Sequence, residues 1–346
     1  MSAGFQAVQW NAAKIRYDAI LLGLVALYIG GFIAVAAALS PPADVAGWID
    51  LRLKAFGSCA FLMLSAVLAI GPLARLNPRF LPLLYNRRHL GVATFLVALA
   101  HAGFMVEWYI LESDIANLAG ELTSWADYLN FPAGFPFKTL GLIALLCMLV
   151  MAATSHDYWL AFLTPPLWKA IHMGIYLGYG AAALHIALGA MQSNRHPLIP
   201  ILLFALFGAV TLLHILAARK AAAQDAGDEA AGGWLQVGAA GDIPDGRARI
   251  VAPAGGERIA VFRDGNIVAA VSNLCAHQNG PVGEGRVVDG CITCPWHGYE
   301  YRVEDGCAPP PFTEKLATYR LRLRDGWLEV QTTPLPPGTP ASLMLP

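Results

Sequence analysis

Residues 275–301 read CAHQNGPVGEGRVVDGCITCPWHGYEY. Two Cys/His pairs stand out, Cys275-Ala-His277 and Cys294-Pro-Trp-His297, with sixteen residues between His277 and Cys294. Glycine and proline follow each pair closely (Gly280-Pro281 and Gly298), so both lie in tight turns. Two thiolates and two imidazoles on such loops suit a metal centre held at the tip of a domain. Zinc is one candidate. Its pairs usually read Cys-x-x-Cys and His-x-x-x-His, each of one residue type, whereas here each pair mixes the two. Outward from this stretch, short alternating runs at 259–262, 267–271 and 319–323 are separated by Asp-Gly pairs at 264–265, 289–290, 305–306 and 325–326. Short strands with hairpin signals predict a small all-β domain over 234–332.

Upstream, the chain changes character. The 346 residues are 56% hydrophobic and 14% charged, with a mean hydropathy of +0.51; a soluble globular protein carries about 25% charge. This composition excludes a disordered chain, and a net charge of −1 offers no general attraction for nucleic acid. Charge is concentrated after residue 218. Before it, six apolar runs approach the roughly 20 residues that cross about 30 Å of hydrocarbon: 18–39, 54–73, 89–110, 136–153, 168–191 and 198–217. The expected architecture is multidomain. An N-terminal segment (1–17) leads into an all-α six-helix transmembrane bundle (18–218); a linker (219–233) leads to the small all-β domain, and a tail (333–346) ends the chain. The first run is not read as a cleaved signal peptide: it is longer than an apolar signal core, and Ser40-Pro41-Pro42 is a poor cleavage site.

Basic residues in the short loops set an orientation. The connection after the second run carries Arg75, Arg79, Arg87 and Arg88 without an acid, whereas the next carries Glu112, Asp114, Glu121 and Asp127 without a base. Lys14 and Arg16 precede the first run, and Arg219 and Lys220 follow the last. Together these predict a multi-pass protein of a bacterial inner membrane, with both termini and the β domain in the cytoplasm.

The segment CAHQNGPVGEG…CITCPWHGYEY closely resembles Rieske ferredoxin-type domains, in which His₂ replaces Cys₂ on one of the two irons of a [2Fe–2S] cluster. The resemblance covers about 234–331, from Trp234-Leu-Gln-Val to Asp325-Gly-Trp-Leu-Glu-Val. It implies Cys275 and Cys294 on one iron and His277 and His297 on the outer one. Rieske proteins of quinol-oxidising complexes add a disulfide, whose positions are here Gly280 and Trp296, so that bridge cannot form. Cys291 and Cys307 are then expected to be ordinary thiols in a reducing cytoplasm. Tyr301 stands where the high-potential family has a sulfur-bonding tyrosine, but Tyr299 replaces its serine. Fewer hydrogen bonds to sulfur imply a low to intermediate potential.

A titratable residue within hydrocarbon is a functional candidate by default. The third run carries His89 and His101 and the fifth His172 and His185, 12 and 13 residues apart, or about 18 and 19.5 Å along a helix. That makes two levels across one bilayer, suited to axial ligation of one or two b-type haems. Ideal helical phase does not align the pairs, because these separations advance about 120° and 220° beyond whole turns. Arg87-Arg88-His89-Leu90-Gly91 through His101, and Trp168-Lys-Ala-Ile-His172 through His185, are similar to the ferric reductase-like transmembrane superfamily. The nearest resemblance is to the haem-binding membrane subunit of the periplasmic methionine sulfoxide reductase system (MsrQ-like), over about 18–218. It implies haem ligands at His101, His172 and His185; His89 is added from its position, and Arg87 and Arg88 become candidate contacts for haem propionates. His156, His196 and His214 are expected in loops or at helix ends. Trp108, Trp125, Trp159 and Trp168 are expected as interfacial anchors.

Together these features predict a membrane-bound electron transfer protein. Electrons would pass from a cytoplasmic donor, a ferredoxin or flavin reductase, through the cluster and haem to a periplasmic acceptor such as a methionine sulfoxide reductase-type oxidoreductase or ferric iron. FMN is a further cofactor this scheme admits. No phosphate-binding glycine loop follows a strand, so direct oxidation of a nicotinamide is not expected. The alternatives are a quinol-oxidising cytochrome b–Rieske fusion and a redox-sensing membrane scaffold without haem.

Overall fold

The computed structural model describes residues 12–84, 86–112, 115–129, 135–155, 159, 163, 165–189, 197–225, 232–277, 279–296 and 298–346. His297, His156 and His196 lie outside them. The first part of the chain is helical: α1 (Ala12–Leu39), α2 (Val45–Leu76), the short α3 (Leu81–Leu84), α4 (Arg87–Leu111), α5 (Ile115–Thr123), α6 (Trp125–Leu129), α7 (Phe137–Ala153), α8 (Pro165–His172), α9 (Gly174–Leu188) and α10 (Leu198–Asp225). Among the described residues α1, α2, α4, the α8–α9 pair and α10 are long and apolar enough to cross a membrane, and α7 is a shorter apolar helix.

Helix α2 is the axis of the bundle, buried at intervals from Ile49 to Ala74. It begins at Val45 rather than near 54 because its polar start is satisfied. The Asp44 carboxylate accepts the Gly47 N–H at 2.7 Å, Lys54 pairs with Asp50 at 2.6 Å, and Arg52 reaches Glu107 of α4 at 3.3 Å. These pairs are half-exposed and define the helix end more than they stabilise it. Aromatic stacking ties α2 to later helices: the Tyr179 ring lies 5.4 Å from Phe61 and 5.4 Å from Phe207, nearly parallel to both. Hydroxyls join helices where hydrocarbon offers no water. Ser65 and Tyr179 meet at 3.0 Å, and Tyr28 of α1 donates to Ser58 at 3.0 Å.

Two further features of the helical region differ from the sequence reading. The fifth apolar run is one span with a tightened turn at Met173, which keeps helical dihedrals (φ −65°, ψ −21°) between α8 and α9. Helix α10 continues to Asp225, so the start of the expected linker is helix; the run of alanines there has the highest intrinsic helix propensity.

The β domain holds three sheets with strand orders β1-β10-β9, β11-β4-β3-β2 (with β8 also on β4) and β5-β6-β7. They are built from β1 (Trp234–Ala239), β2 (Ala248–Val251), β3 (Ile259–Asp264), β4 (Ile267–Ser272), β5 (Arg286–Val288), β6 (Cys291–Thr293), β7 (Glu300–Arg302), β8 (Thr318–Tyr319), β9 (Leu321–Arg324), β10 (Trp327–Gln331) and β11 (Leu343–Met344). Asp289-Gly290 and Asp325-Gly326 all take positive φ, the backbone of the two-residue turns that match strand twist. They close β5–β6 and β9–β10, while the 264–265 pair sits at the β3–β4 hairpin. The chain end is not a free tail: Leu343 pairs with Val268 of β4, where it and Leu345 cover the core formed by Leu235, Val268 and Leu328.

The β domain packs on the end of the bundle that carries the arginines. Trp296 lies against the bundle's hydrophobic core, and Arg258 Nη2 donates to the Ala221 carbonyl of α10 at 3.2 Å.

Candidate metal centres

Each Cys/His pair sits on a loop closed in the same way. The Cys275 N–H donates to Gly280 O at 2.8 Å, and Asn279 N–H returns a bond to Cys275 O at 2.7 Å. In the second loop Cys294 N–H donates to Tyr299 O at 2.8 Å, and Gly298 N–H returns to Cys294 O at 2.9 Å. The residue four after each cysteine therefore turns left-handed, Asn279 at φ 55° and Gly298 at φ 69°. Asparagine and glycine tolerate that conformation best, which explains both positions. Gly280 is a close approach: a Cβ there would lie 2.9 Å from Cys294 Sγ and 3.1 Å from the Trp296 ring.

Cys275 and Cys294 are buried, and the His277 ring stacks on Tyr299 with centres 4.6 Å apart. His297 lies outside the described residues. Among those residues no three Cys, His, Asp or Glu side chains form one metal-sized group; a two-iron cluster takes two protein ligands per iron and needs none. The fully buried Tyr301 hydroxyl accepts the His277 N–H at 3.2 Å and lies 3.3 Å from Cys275 Sγ. Its own hydrogen is thus left for the sulfur. Burial, then the neighbouring Cys275 sulfur, pushes its phenol far above the ordinary value, so it stays a donor. The Tyr299 hydroxyl turns away, donating to the Glu314 carboxylate; burial, then that carboxylate, pushes its phenol up as well. Nothing in the sequence pointed to Glu314, which lies fifteen residues from its partner in an irregular loop. Cys291 and Cys307 are free thiols.

Within the bundle, the imidazoles of His101 (α4) and His185 (α9) face each other, ring centres 6.3 Å apart and planes at 81°. Each Nδ1–H donates to a backbone carbonyl, His101 to Leu53 and His185 to Phe137, both at 2.9 Å. With Nδ1 the donor, Nε2 carries the lone pair, the same hydrogen-bonding pattern by which backbone carbonyls orient metal-binding histidines. Two metal–nitrogen bonds of about 2 Å, with about 1.1 Å from each nitrogen to its ring centre, put two axial imidazoles about 6.2 Å apart. The pair fits one shared iron. Glycines make room behind both rings, since a Cβ at Gly57 would lie 2.9 Å from His101 and one at Gly141 3.0 Å from His185.

The other histidines are placed differently. His172 Nδ1–H donates to Trp168 O at 3.0 Å, its ring stacks on Trp168 with centres 3.7 Å apart, and its buried Nε2 has no hydrogen-bond partner among the described residues. Arg87 and Arg88 act on it electrostatically. An apolar cleft of about 220 Å³ opens beside it, lined by Leu146, Cys147, Val150, Met151, Ile171 and Gly174. His89 Nδ1 meets Asp18 Oδ1 of α1 at 2.7 Å. His214 lies inside α10 rather than at a helix end, and both its nitrogens are engaged, Nδ1 by Val210 O at 2.9 Å and Nε2 by the Tyr176 hydroxyl at 3.0 Å. Trp168 is more than an interfacial anchor: besides stacking on His172, its Nε1–H donates to Thr154 O at 3.0 Å.

Comparison with known proteins places these features in families. Residues 233–320 match the Rieske [2Fe–2S] domain, and residues 56–183 match the ferric reductase-like transmembrane component. The anthranilate 1,2-dioxygenase ferredoxin subunit of Burkholderia cepacia is 37% identical over 102 residues, which cover 28% of this chain and 90% of the relative. Ferredoxin CarAc of Metapseudomonas resinovorans is 33% identical over 94 residues, covering 27% of this chain and 88% of the relative. A solved complex of oxygenase and ferredoxin in carbazole 1,9a-dioxygenase aligns at 30% identity with a TM-score of 0.29, over 30% of this chain and 97% of that one. This chain is therefore a multi-pass membrane member of the Rieske [2Fe–2S] family, which joins that domain to a ferric reductase-like transmembrane domain.

Proposed function

We propose that this chain carries electrons across a bilayer, accepting them at its β domain from a cytoplasmic ferredoxin or flavin reductase and delivering them to an acceptor on the periplasmic side. The observation that carries this reading is the facing pair His101–His185, tethered through Nδ1 in a bundle that bears a Rieske domain at one end. When bound, a [2Fe–2S] cluster and a b-type haem supply reversible one-electron transfer. Cys275 and Cys294 would hold one iron of the cluster, and His277 and His297 the other. Tyr301 supports Cys275 through its hydroxyl. His101 and His185 would hold the haem, and the Leu53 and Phe137 carbonyls fix their tautomer and ring orientation.

His172, whose Nε2 is without a partner among the described residues and lies in the field of Arg87 and Arg88, would hold a second haem, and the two arginines would offer charge to its propionates. His89 is oriented by a carboxylate, as many metal-binding imidazoles are. The arginine-bearing end faces the cytoplasm of a bacterial inner membrane, as its excess of basic residues favours. Acceptors of matching chemistry are a methionine sulfoxide reductase-type protein and ferric iron.

Reduced-minus-oxidised optical spectra and EPR of detergent-purified protein test this directly. The expected result is b-type haem bands with a rhombic iron–sulfur signal, and loss of haem in His185→Ala. Protein made with ample haem that contains none overturns it.

A further inference from the structure

The loop bearing the second Cys/His pair does not end in solvent. Trp296, between Cys294 and His297 in sequence, belongs at once to the packing of the β-domain core around Cys275, Cys294 and Tyr299 and to that of the bundle core. A glycine at 280 lets its ring lie flat against the first loop. In the short turn Val282–Glu284, the half-buried Glu284 carboxylate lies in the combined field of three bases: Arg75 at the end of α2, Lys220 on α10 and Arg258 on the β domain itself. The bundle side of this cluster is braced. Lys220 Nζ donates to the carbonyls of Arg75 at 2.8 Å and Leu76 at 3.3 Å, tying α10 to the end of α2. Arg258 then spans the two domains through Ala221 O.

An apolar anchor fixes where two surfaces meet but little about their rotation, because dispersion and hydrophobic contact are non-directional. A charge placed among opposite charges in a partly desolvated site fixes rotation, because misplacing it leaves both signs unpaired. The interface has one of each.

We propose that Trp296 and Glu284 form a built docking device, Trp296 being the positioning residue that seats the cluster-binding loop on the bundle and Glu284 the pin that sets its rotation. Trp296 touches no substrate and holds no iron; it acts by fixing the distance over which electrons pass. That consequence rests on the electron-transfer reading above, whereas the docking itself does not.

The test uses the full-length protein in lipid nanodiscs as wild type, Trp296→Ala, Trp296→Phe, Glu284→Lys and the charge swap Glu284→Lys/Lys220→Glu. Three quantities are read: hydrogen exchange in the 279–285 and 294–298 loops, the EPR signal of the cluster, and the rate at which haem equilibrates with the cluster after photoreduction. Trp296→Ala is expected to raise loop exchange at least tenfold and slow equilibration at least tenfold with an unchanged EPR signal, and Trp296→Phe to restore most of both. Glu284→Lys is expected to raise exchange likewise, and the swap to lower it again. Wild-type exchange in Trp296→Ala with the cluster intact overturns the proposal. If Trp296→Ala does not assemble its cluster, the charge variants decide: unchanged exchange in Glu284→Lys overturns it, and loss with recovery in the swap supports it. Protein without haem ends the electron-transfer reading and leaves the exchange result to judge the docking.

Discussion

His101 and His185, on different helices and 84 positions apart in the chain, present their rings to each other across 6.3 Å, each with a glycine behind it. The space on the far side of each ring is as specific as the ring itself. Gly57→Val and Gly141→Val are expected to push an imidazole out of line and cut haem content at least fivefold, with Gly57→Ala and Gly141→Ala intermediate, because protein interiors yield little to an added methyl. Haem per protein from the pyridine haemochrome assay checks this; full occupancy in both valine variants contradicts the shared-iron arrangement.

His172 and His214 differ in how the protein uses their nitrogens. His214 has both occupied, whereas His172 has a buried nitrogen without a partner among the described residues. Replacing His172 with Ala is expected to remove about half the haem of a two-haem protein. His214→Ala should keep all of it, at a cost in stability of about 1 kcal/mol for the lost hydrogen bonds. Haem stoichiometry measured on both variants discriminates; equal losses would remove the basis for assigning a ligand to His172.

Tyr301 and Tyr299 stack on neighbouring parts of one site but serve different partners. A hydrogen bond worth about 1 kcal/mol more to the reduced cluster corresponds to roughly 40 mV for one electron. Tyr301→Phe should therefore lower the cluster potential by about that amount. Tyr299→Phe, which breaks only the bond to Glu314, should shift it by less than half as much. Redox titration followed by EPR gives both values, and the reverse ranking would mean that the Tyr299 hydroxyl also reaches the cluster.

Glu300 in β7 is buried, and its Oε2 has no hydrogen-bond partner among the described residues. Burial, then the nearby Asp289, pushes its carboxyl above the usual range. The folded state thus holds this proton more tightly than the unfolded chain does. Its contribution to stability is complete below the unfolded carboxyl value and is lost as pH rises through the folded one. Glu300→Gln should flatten the fall in melting temperature between pH 4 and pH 8, with melting followed by cluster absorbance. A slope identical to that of the unaltered chain would show that this carboxyl does not carry it.

Much of this was legible in the linear sequence, for identifiable reasons. Apolar runs announce helices because hydrocarbon tolerates no unsatisfied backbone. Asp289-Gly290 and Asp325-Gly326 announce hairpins because few other residues take positive φ twice in succession. The start of α2 was not legible: Asp50, Arg52 and Lys54 look like a loop until Asp44, Glu107 and the helix itself satisfy them. Nor was the last strand, since Leu343 and Leu345 carry no periodic signal and become a strand only because β4 offers an edge to pair with.

What the sequence by itself determined is chemical: two Cys/His pairs on glycine-rich turns, and histidines in apolar helices, where each is a functional candidate. Which histidines meet was decided by tertiary structure. Helical phase relates residues along one helix and does not say which faces of two helices meet, so a count of residues could not place the fifth span's imidazoles. Packing of α7 against both α4 and α9 brings His185 opposite His101, and His172 is left within the field of Arg87 and Arg88. The seating of Trp296 and Glu284 on the bundle likewise depends on two surfaces far apart in the chain, and no local pattern encodes a contact between them.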